Sequence, residues 1–213
     1  MPSTAITSQN TQVRIRTATG TAVTIASATQ ASPPVITATA HPFTDGDIIR
    51  IDSIAGMIEL NGRAYVVTSS STNSFALLGI DATGYSAYTS AGSARALTMN
   101  NIGNAKNFSG FDGQAAEIDV TNLISTAKEY RLGLQDFGNV SIDIDLDMAD
   151  TGQTEARAAK SSGAEREFTI TLSDGKVAAF VAFVRQFTVN GSPDGVVSGT
   201  MGLRITGEPS FFV

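Results

Sequence analysis

The sequence predicts a mainly β protein, an antiparallel β-sandwich or barrel with one flanking α-helix and a small inserted all-β domain. Residues 140–147 and 197–205 alternate apolar and polar side chains, the period of two that is typical of half-buried strands. Only one segment, about 152–162, combines good helix propensity with residues that favour helix ends. Because strands and helices do not alternate between residues 115 and 206, an antiparallel arrangement is favoured.

The composition limits both the core and the chemistry of the chain. Of its 213 residues, 42% are hydrophobic, which is enough for a packed core, and only 16% are charged. The formal net charge of −6 argues against binding phosphate backbones or anionic lipid through a basic patch. The chain has no cysteine and one histidine, which excludes disulfides, cysteine-based zinc sites and histidine-cluster metal sites. We therefore expect no metal and no cofactor.

Residues 1–32 are expected to form an N-terminal arm and the first strands of the main domain. The arm, residues 1–12, is polar and lacks periodicity, which is typical of a segment that a partner orders. Two short strands are predicted between residues 13 and 25. Pro33 and Pro34 then disfavour both helix and central strand, so a domain boundary is predicted there.

Residues 33–97 have a self-contained β-pattern, which we interpret as an inserted small β-barrel module. A segment of about 65 residues can bury a small core of its own, and Asn61-Gly62 marks a hairpin turn. His41 is expected to be a structural turn residue, because no nucleophile or acid partner accompanies it. The predicted strands of this module are 35–39, 48–51, 65–68 and 74–78.

Residues 98–213 are predicted to form the main domain. Asp150 or Thr151 can cap its helix and Gly163 can end it. The segment 177–189 is apolar on both faces, so we expect both sides of this strand to be covered. The other predicted elements are an Asn/Gly-rich loop or arm at 98–114 and strands at 116–120, 140–147, 168–172 and 197–205.

An acidic strand face is the first candidate functional feature. We expect the two most regular strands to pair and to place their carboxylates on a common face. These carboxylates are Glu117, Asp119, Asp143 and Asp145. The side chains expected to be buried on the opposite face are Ile118, Val120, Ile142 and Ile144. Because like charges across a strand pair repel, the face is either an ordinary solvated surface or one kept acidic to repel a polyanion.

A long loop over residues 121–138 is the second candidate feature. It joins two predicted strands, but it is too long for a tight turn and is rich in large apolar residues. These residues are Leu123, Ile124, Tyr130, Leu132, Leu134 and Phe137. Such a loop either packs on its own domain or has a partner.

The sequence contains no recognisable catalytic or membrane motif. No G-x-S-x-G, phosphate-binding or dinucleotide-binding pattern occurs, so we expect no enzyme activity and no catalytic residue. The Asp143-x-Asp145-x-Asp147 spacing is no calcium loop, because Met148 and Thr154 stand where that loop has Gly and Glu. The longest apolar run, 177–184, is too short to span a membrane.

Parts of the chain resemble the major tail tube proteins of long, non-contractile-tailed bacteriophages. The runs that carry the resemblance are Glu117-Ile-Asp-Val-Thr121, Ser125-Thr-Ala-Lys-Glu-Tyr130, Gly133-Leu-Gln-Asp-Phe-Gly138, Phe168-Thr-Ile-Thr-Leu172 and Leu203-Arg-Ile-Thr-Gly207. Residues 33–97 are similar instead to a small β-barrel of ubiquitin-activating enzymes, the first catalytic cysteine half-domain, which recurs in phage proteins as an insertion. The runs here are His41-Pro-Phe-Thr-Asp-Gly-Asp47 and Gly56-Met-Ile-Glu-Leu-Asn-Gly62. Without a cysteine, this similarity implies no catalysis.

The resemblance implies a structural subunit of a phage tail tube. Six copies would form a ring, and stacked rings would enclose a channel through which phage DNA passes without specific binding. The acidic face would then line the channel, and the loop 121–138 would link successive rings.

The implied partners are other copies of the chain, a tape measure protein, and tail terminator and tip proteins. The implied location is the virion tail, assembled in the cytoplasm of the host bacterium, with no membrane contact. An alternative interpretation of the same pattern is a β-sandwich adhesin or receptor-binding module that uses the inserted domain.

Overall fold

The computed structural model describes residues 5–211 of the chain. It confirms a mainly β, antiparallel fold, with one α-helix in the described part. Residues 1–4 of the predicted arm, and residues 212–213 at the other end, lie outside the described residues. The rest of the arm, residues 5–11, has no regular structure before the first strand begins at Gln12.

The helix α1 spans Thr151–Ser162, and a short 3-10 turn spans Ile58–Leu60. The strands are β1 (Gln12–Thr19), β2 (Val23–Thr24), β3 (Ser27–Ala28), β4 (Val35–Thr37), β5 (Ile48–Ala55), β6 (Arg63–Thr68), β7 (Ser74–Leu77), β8 (Ser90–Asn101), β9 (Ala105–Gly110), β10 (Glu117–Asp119), β11 (Tyr130–Leu132), β12 (Asn139–Asp145), β13 (Arg166–Thr171), β14 (Val177–Phe187) and β15 (Ser198–Ser210).

Most of these strands form one continuous antiparallel sheet, in the order β3-β4-β7-β6-β5-β8-β1-β13-β14-β15-β12-β9. Strand β8 connects the inserted module to the main domain. Its first half pairs with β5 and β2, and its second half pairs with β1. Strands β10 and β11 pair only with each other, as a separate two-stranded hairpin.

The prediction of a loop or arm over residues 98–114 is wrong. Most of this segment belongs to β8 and β9, and β8 runs across the domain boundary that was predicted at residue 97. The segment forms strands because Ile102 and Phe108 reach the main core while its asparagines stay on the polar side. Asn101, for example, accepts a hydrogen bond from the Arg14 Nε–H at 3.0 Å.

The main hydrophobic core lies on one face of the main-domain strands. Although β1 and β9 are far apart in the strand order, Val13 and Phe108 contribute to the same cluster, so the sheet curls around its core. This agrees with the predicted sandwich or barrel. The fully buried members of the cluster include Ile15, Val140, Ile142, Phe168, Ile170, Ala182 and Met201. Strand β14 is buried on both faces along most of its length, as predicted.

The helix α1 covers this core and has the predicted ends. The Asp150 Oδ1 atom caps it by accepting a hydrogen bond from the Gln153 backbone N–H at 2.7 Å. Gly163 ends the helix in the left-handed conformation, with a φ of 66°. Ala156 and Ala159 face the core and are fully buried. Within residues 5–211, no helix has the length and apolar character needed to cross a membrane.

A buried glutamine ties the helix to the strand ends beside it, which the sequence did not predict. Gln153 is completely buried. Its Oε1 atom accepts a hydrogen bond from the Asp147 N–H at 3.0 Å, and its Nε2 donates to the carbonyls of Gly103 and Asp145 at 2.9 Å each. The side chain thereby satisfies three backbone groups in two segments, the turn after β8 and the stretch at the end of β12.

The inserted module has a second hydrophobic core of its own. Its fully buried members include Ile36, Ile49, Ile51, Met57, Leu60, Tyr65, Phe75 and Leu77. His41 belongs to this core as a structural residue, as predicted, since its ring stacks on Phe43 and meets the edge of Phe75. Its Nδ1 atom accepts a hydrogen bond from the Phe43 N–H at 3.2 Å.

A buried charge network fastens the inserted module to the main domain. The Glu167 side chain on β13 is only 1% exposed and is paired with Arg16 on β1 and with Arg50 on β5, the latter at 2.7 Å. Burial opposes the ionisation of Glu167, but the hydrogen bonds from Arg50 and Arg16 prevail and lower the pKa of the carboxyl. A small apolar contact of Ala64 with Ala179 lies in the same junction. The junction is therefore packed rather than a flexible linker.

Replacing Glu167 with Ala should lower the free energy of unfolding by about 3 kcal/mol, because it removes the buried carboxylate that pairs with the partly buried Arg16 and Arg50. The control is Lys128→Ala, which breaks the Lys128–Asp119 pair, whose side chains are 72% and 49% exposed. It should change the unfolding free energy by less than about 1 kcal/mol. Urea denaturation measures both values, and equal effects would contradict this account of the junction.

The same network predicts a dependence on pH. Because the pKa of Glu167 is lowered in the folded chain, its ion pairs stabilise the protein fully above the unfolded value of about 4.5. This stabilisation is lost as the pH falls through the lowered pKa. The advantage of the native chain over Glu167→Gln in urea denaturation should therefore shrink in acid, and an advantage independent of pH would be inconsistent with an ionised Glu167.

Candidate assembly surfaces

Asp143 and Asp145 lie on one face of β12, opposite the buried Ile142 and Ile144, as predicted. The Thr200 hydroxyl on the neighbouring β15 donates a hydrogen bond to Asp143 at 2.8 Å. The pairing partners of β12 are β15 on one side and β9 on the other. This part of the sheet therefore has an apolar face toward the core and a polar face toward the outside.

The other two predicted carboxylates are not on this sheet. Glu117 and Asp119 lie on β10, which pairs with β11 rather than with β12, so the predicted strand partner is wrong. The reason is that β9 occupies the free edge of β12, and the chain after β9 folds back on itself as a hairpin. Consequently Ile118 and Val120 are exposed, not buried. The Thr121 hydroxyl and backbone N–H lower the pKa of Asp119.

The polar face of β12 and its neighbours is charge-balanced rather than strongly acidic. Lys106 on β9 forms an ion pair with Asp145 at 2.7 Å. Sequence reasoning missed this lysine because it lies in the segment that was predicted as a loop. Arg185 and Arg204 on the adjoining strands add two more cations near this face. Asp143 is the carboxylate of the face that has no cationic partner within the described part of the chain.

The segment from Gly113 to Gly138, which contains β10 and β11, is named here the β10–β11 hairpin. It includes the predicted loop 121–138, and its apolar side chains lie largely in solvent. Leu123 and Ile124 at the tip are fully exposed, and Leu134 is 93% exposed. Tyr130 and Leu132 on β11 are also exposed. Of the predicted contact residues, only Phe137 packs against the main core, because it lies at the base of the hairpin.

The base of the hairpin is tightly held. Asp136 forms an ion pair with Arg204 at 2.6 Å and accepts a hydrogen bond from the Gly138 N–H at 2.8 Å. The Gly138 N–H and Arg204 together lower the pKa of the Asp136 carboxyl. A Cβ at Gly113 would lie 1.9 Å from the Asp136 carbonyl oxygen, so the two chain segments approach too closely for any side chain there. The apolar tip therefore projects from a fixed base.

The described residues contain no group of three or more histidine, aspartate or glutamate side chains that could hold a metal ion. The notable surfaces are thus the polar face of β12 and the apolar hairpin. Neither is a pocket that converges on a ligand.

Two family models match parts of the chain. A family model described as "Phage tail tube, TTP, lambda-like" matches residues 79–181. A second model, "Ubiquitin-activating enzyme E1 FCCH domain", matches residues 31–97, which cover the inserted module. A search of curated proteins found no significant match.

Two solved structures resemble the chain, each at 22% sequence identity and a TM-score of 0.47. Their titles are "Tail of empty GTA particle computed with helical refinement, C6 symmetry" and "Virion of native gene transfer agent (GTA) particle". Each alignment covers 54% of this chain, and 87% and 89% of the respective other chain. Residues 79–181, a little under half of the chain, are therefore similar to the lambda-like phage tail tube family.

Proposed function

We propose that the chain self-assembles into rings of six copies, and that the rings stack into a tube around a channel for DNA. Assembly takes place in the host bacterial cytoplasm, where a tape measure protein and tail terminator and tip proteins are further partners. The subunit acts through its surfaces and has no enzymatic activity. The family match supports the tail tube, and the exposed β10–β11 hairpin is the observation that carries self-assembly.

The hairpin supports self-assembly because of the apolar area that it leaves in water. Burial of a large apolar side chain contributes about 1.5–3 kcal/mol, so covering several of them drives association. The base of the hairpin is already ordered by the Asp136–Arg204 ion pair and by the close approach at Gly113. A projection ordered before binding loses less conformational entropy on association than a flexible loop would.

The polar face of β12 is the surface that we assign to the channel. The main core covers the opposite face of this sheet. Only the polar face can therefore contact the contents of a channel. Its balanced charges offer phosphate groups no cluster of unpaired cations. DNA can therefore slide past without specific binding. Glu117 and Asp119 on the hairpin are assigned to contacts between subunits rather than to the channel wall.

The inserted module is assigned to the outside of the tube. It is joined to β1 and β13 through the Glu167 network and to β14 through the contact of Ala64 with Ala179. A module held in this way can present a surface outward from each subunit without adding strands to the channel wall.

Replacing both Leu132 and Leu134 with serine should give a folded monomer that does not form tubes, because the hairpin then lacks much of its apolar contact area. Negative-stain microscopy and sedimentation of the purified chain measure assembly. The control is Ile58→Ser, which changes another exposed apolar residue, 63% exposed, on the inserted module. The control should assemble normally. Unchanged tube formation by the double variant would contradict the assigned role of the hairpin.

Replacing Asp143 with lysine should preserve tube assembly and make the tubes retain DNA. The change removes the carboxylate without a cationic partner and turns a balanced face into a cationic one in every subunit. Retention of short DNA duplexes by assembled tubes, measured by sedimentation, should fall as salt is raised, because screening weakens the attraction. Asp143→Asn is the control of similar size. Tubes of the lysine variant that bind no more DNA than native tubes would overturn the channel assignment.

A further inference from the structure

Two Asn-Gly pairs occur in the chain, Asn61-Gly62 and Asn190-Gly191. In such a pair the backbone nitrogen of the glycine can attack the side-chain amide of the asparagine, because glycine has no Cβ to hinder the approach. The reaction is intramolecular and needs no enzyme, so its rate depends on how freely the reacting atoms reach the required geometry. The structure gives the two pairs very different surroundings.

Asn61-Gly62 is held in place by hydrogen bonds on every reacting group. The Asn61 Oδ1 atom accepts a hydrogen bond from the Ile54 N–H at 2.8 Å, and its Nδ2 donates to the Ile54 carbonyl at 2.9 Å. The Gly62 N–H, which carries the attacking nitrogen, donates to the Ile51 carbonyl at 2.8 Å. The attack therefore requires these hydrogen bonds to open first.

Asn190-Gly191 lies in the turn between β14 and β15 and lacks these restraints. The backbone of Asn190 is paired with Ser198 through hydrogen bonds of 2.7 and 2.8 Å. Its side chain and the Gly191 N–H, in contrast, form no hydrogen bond with any residue between 5 and 211. Both residues are exposed to solvent. The reacting groups can therefore rotate into contact, and water can reach them.

We propose that Asn190 is a site of spontaneous deamidation in the folded protein and that the fold protects Asn61. The Gly191 nitrogen loses its proton to hydroxide and bonds to the Asn190 Cγ atom. The Cγ–Nδ2 bond then breaks, and ammonia leaves with a proton taken from water. A second water molecule adds to one of the two carbonyl carbons of the resulting succinimide ring and opens it. The product is aspartate or isoaspartate in place of Asn190, without any oxidant or reductant.

The isoaspartate product changes the end of the sheet. It brings the side-chain carbon into the backbone, so the Asn190 carbonyl that accepts the Ser198 N–H at 2.8 Å becomes a free carboxylate. Each event also adds a negative charge to a turn that already contains Asp194. The change stays local, because the Thr188 N–H still donates to the Thr200 carbonyl, at 3.0 Å, one step further into the sheet. The turn therefore becomes more acidic as the protein ages.

Peptide mapping by mass spectrometry tests this proposal on the full-length chain. Trypsin cuts after lysine and arginine, so Asn190 falls in peptide 186–204 and Asn61 in peptide 51–63, each as the only asparagine of its peptide. During incubation of the folded protein at mildly alkaline pH, Asn190 should deamidate at least about tenfold faster than Asn61. In urea at the same pH the two rates should be similar, because unfolding removes the hydrogen bonds that protect Asn61.

The matched control is Gly191→Ala, whose added Cβ hinders the attack. The fold accepts this change, because the Cβ would meet only the Val197 Cγ2 atom, at an ordinary contact distance of 3.7 Å. Deamidation of Asn190 should then slow at least about tenfold. Equal rates at the two asparagines in the folded protein would overturn the proposal, and so would a Gly191→Ala variant that loses ammonia as fast as the native chain.

Discussion

The apolar face of the main-domain sheet is already covered by the domain's own strands and helix. No room is left there for the apolar side chains of the hairpin, and the rest of the structure depends on this constraint. Ile142, Phe168, Ala156 and their neighbours cover the apolar face of the curled sheet. The β10–β11 hairpin begins just beyond this core, anchored by Phe137, and continues into solvent. Because no residue within 5–211 covers Leu123 or Leu134, association with another molecule is one way in which this apolar area can be removed from water.

A second constraint comes from β8, which belongs to the inserted module at one end and to the main sheet at the other. A strand cannot bend freely while it is paired, so the module and the main domain keep a fixed relation. The buried Glu167 strengthens this relation, because separating the two parts would expose or unpair its arginine partners. An assembly of such subunits therefore carries the module at one defined angle, unlike a domain attached through a flexible linker.

The sequence predicted those features that depend on local pattern. The alternation in β12 and β15, the cap at Asp150 and the stop at Gly163 are each encoded within a few residues, and the structure confirms them. The sequence did not predict which strands pair, because pairing depends on contacts between distant residues. Glu117 was therefore assigned to a partner of β12, when β9 occupies that position. Lys106 and Gln153 were missed for the same reason, since their partners are far away in the chain or are backbone atoms.

A cryo-electron microscopy reconstruction of the tube formed by the purified chain tests the central claim most directly, namely that the apolar hairpin joins copies of this chain. We expect stacked rings in which the hairpin of each subunit is buried against the next ring, with β12 facing the channel. A reconstruction in which the hairpin projects into solvent would contradict it, as would a chain that remains a compact monomer at every concentration examined.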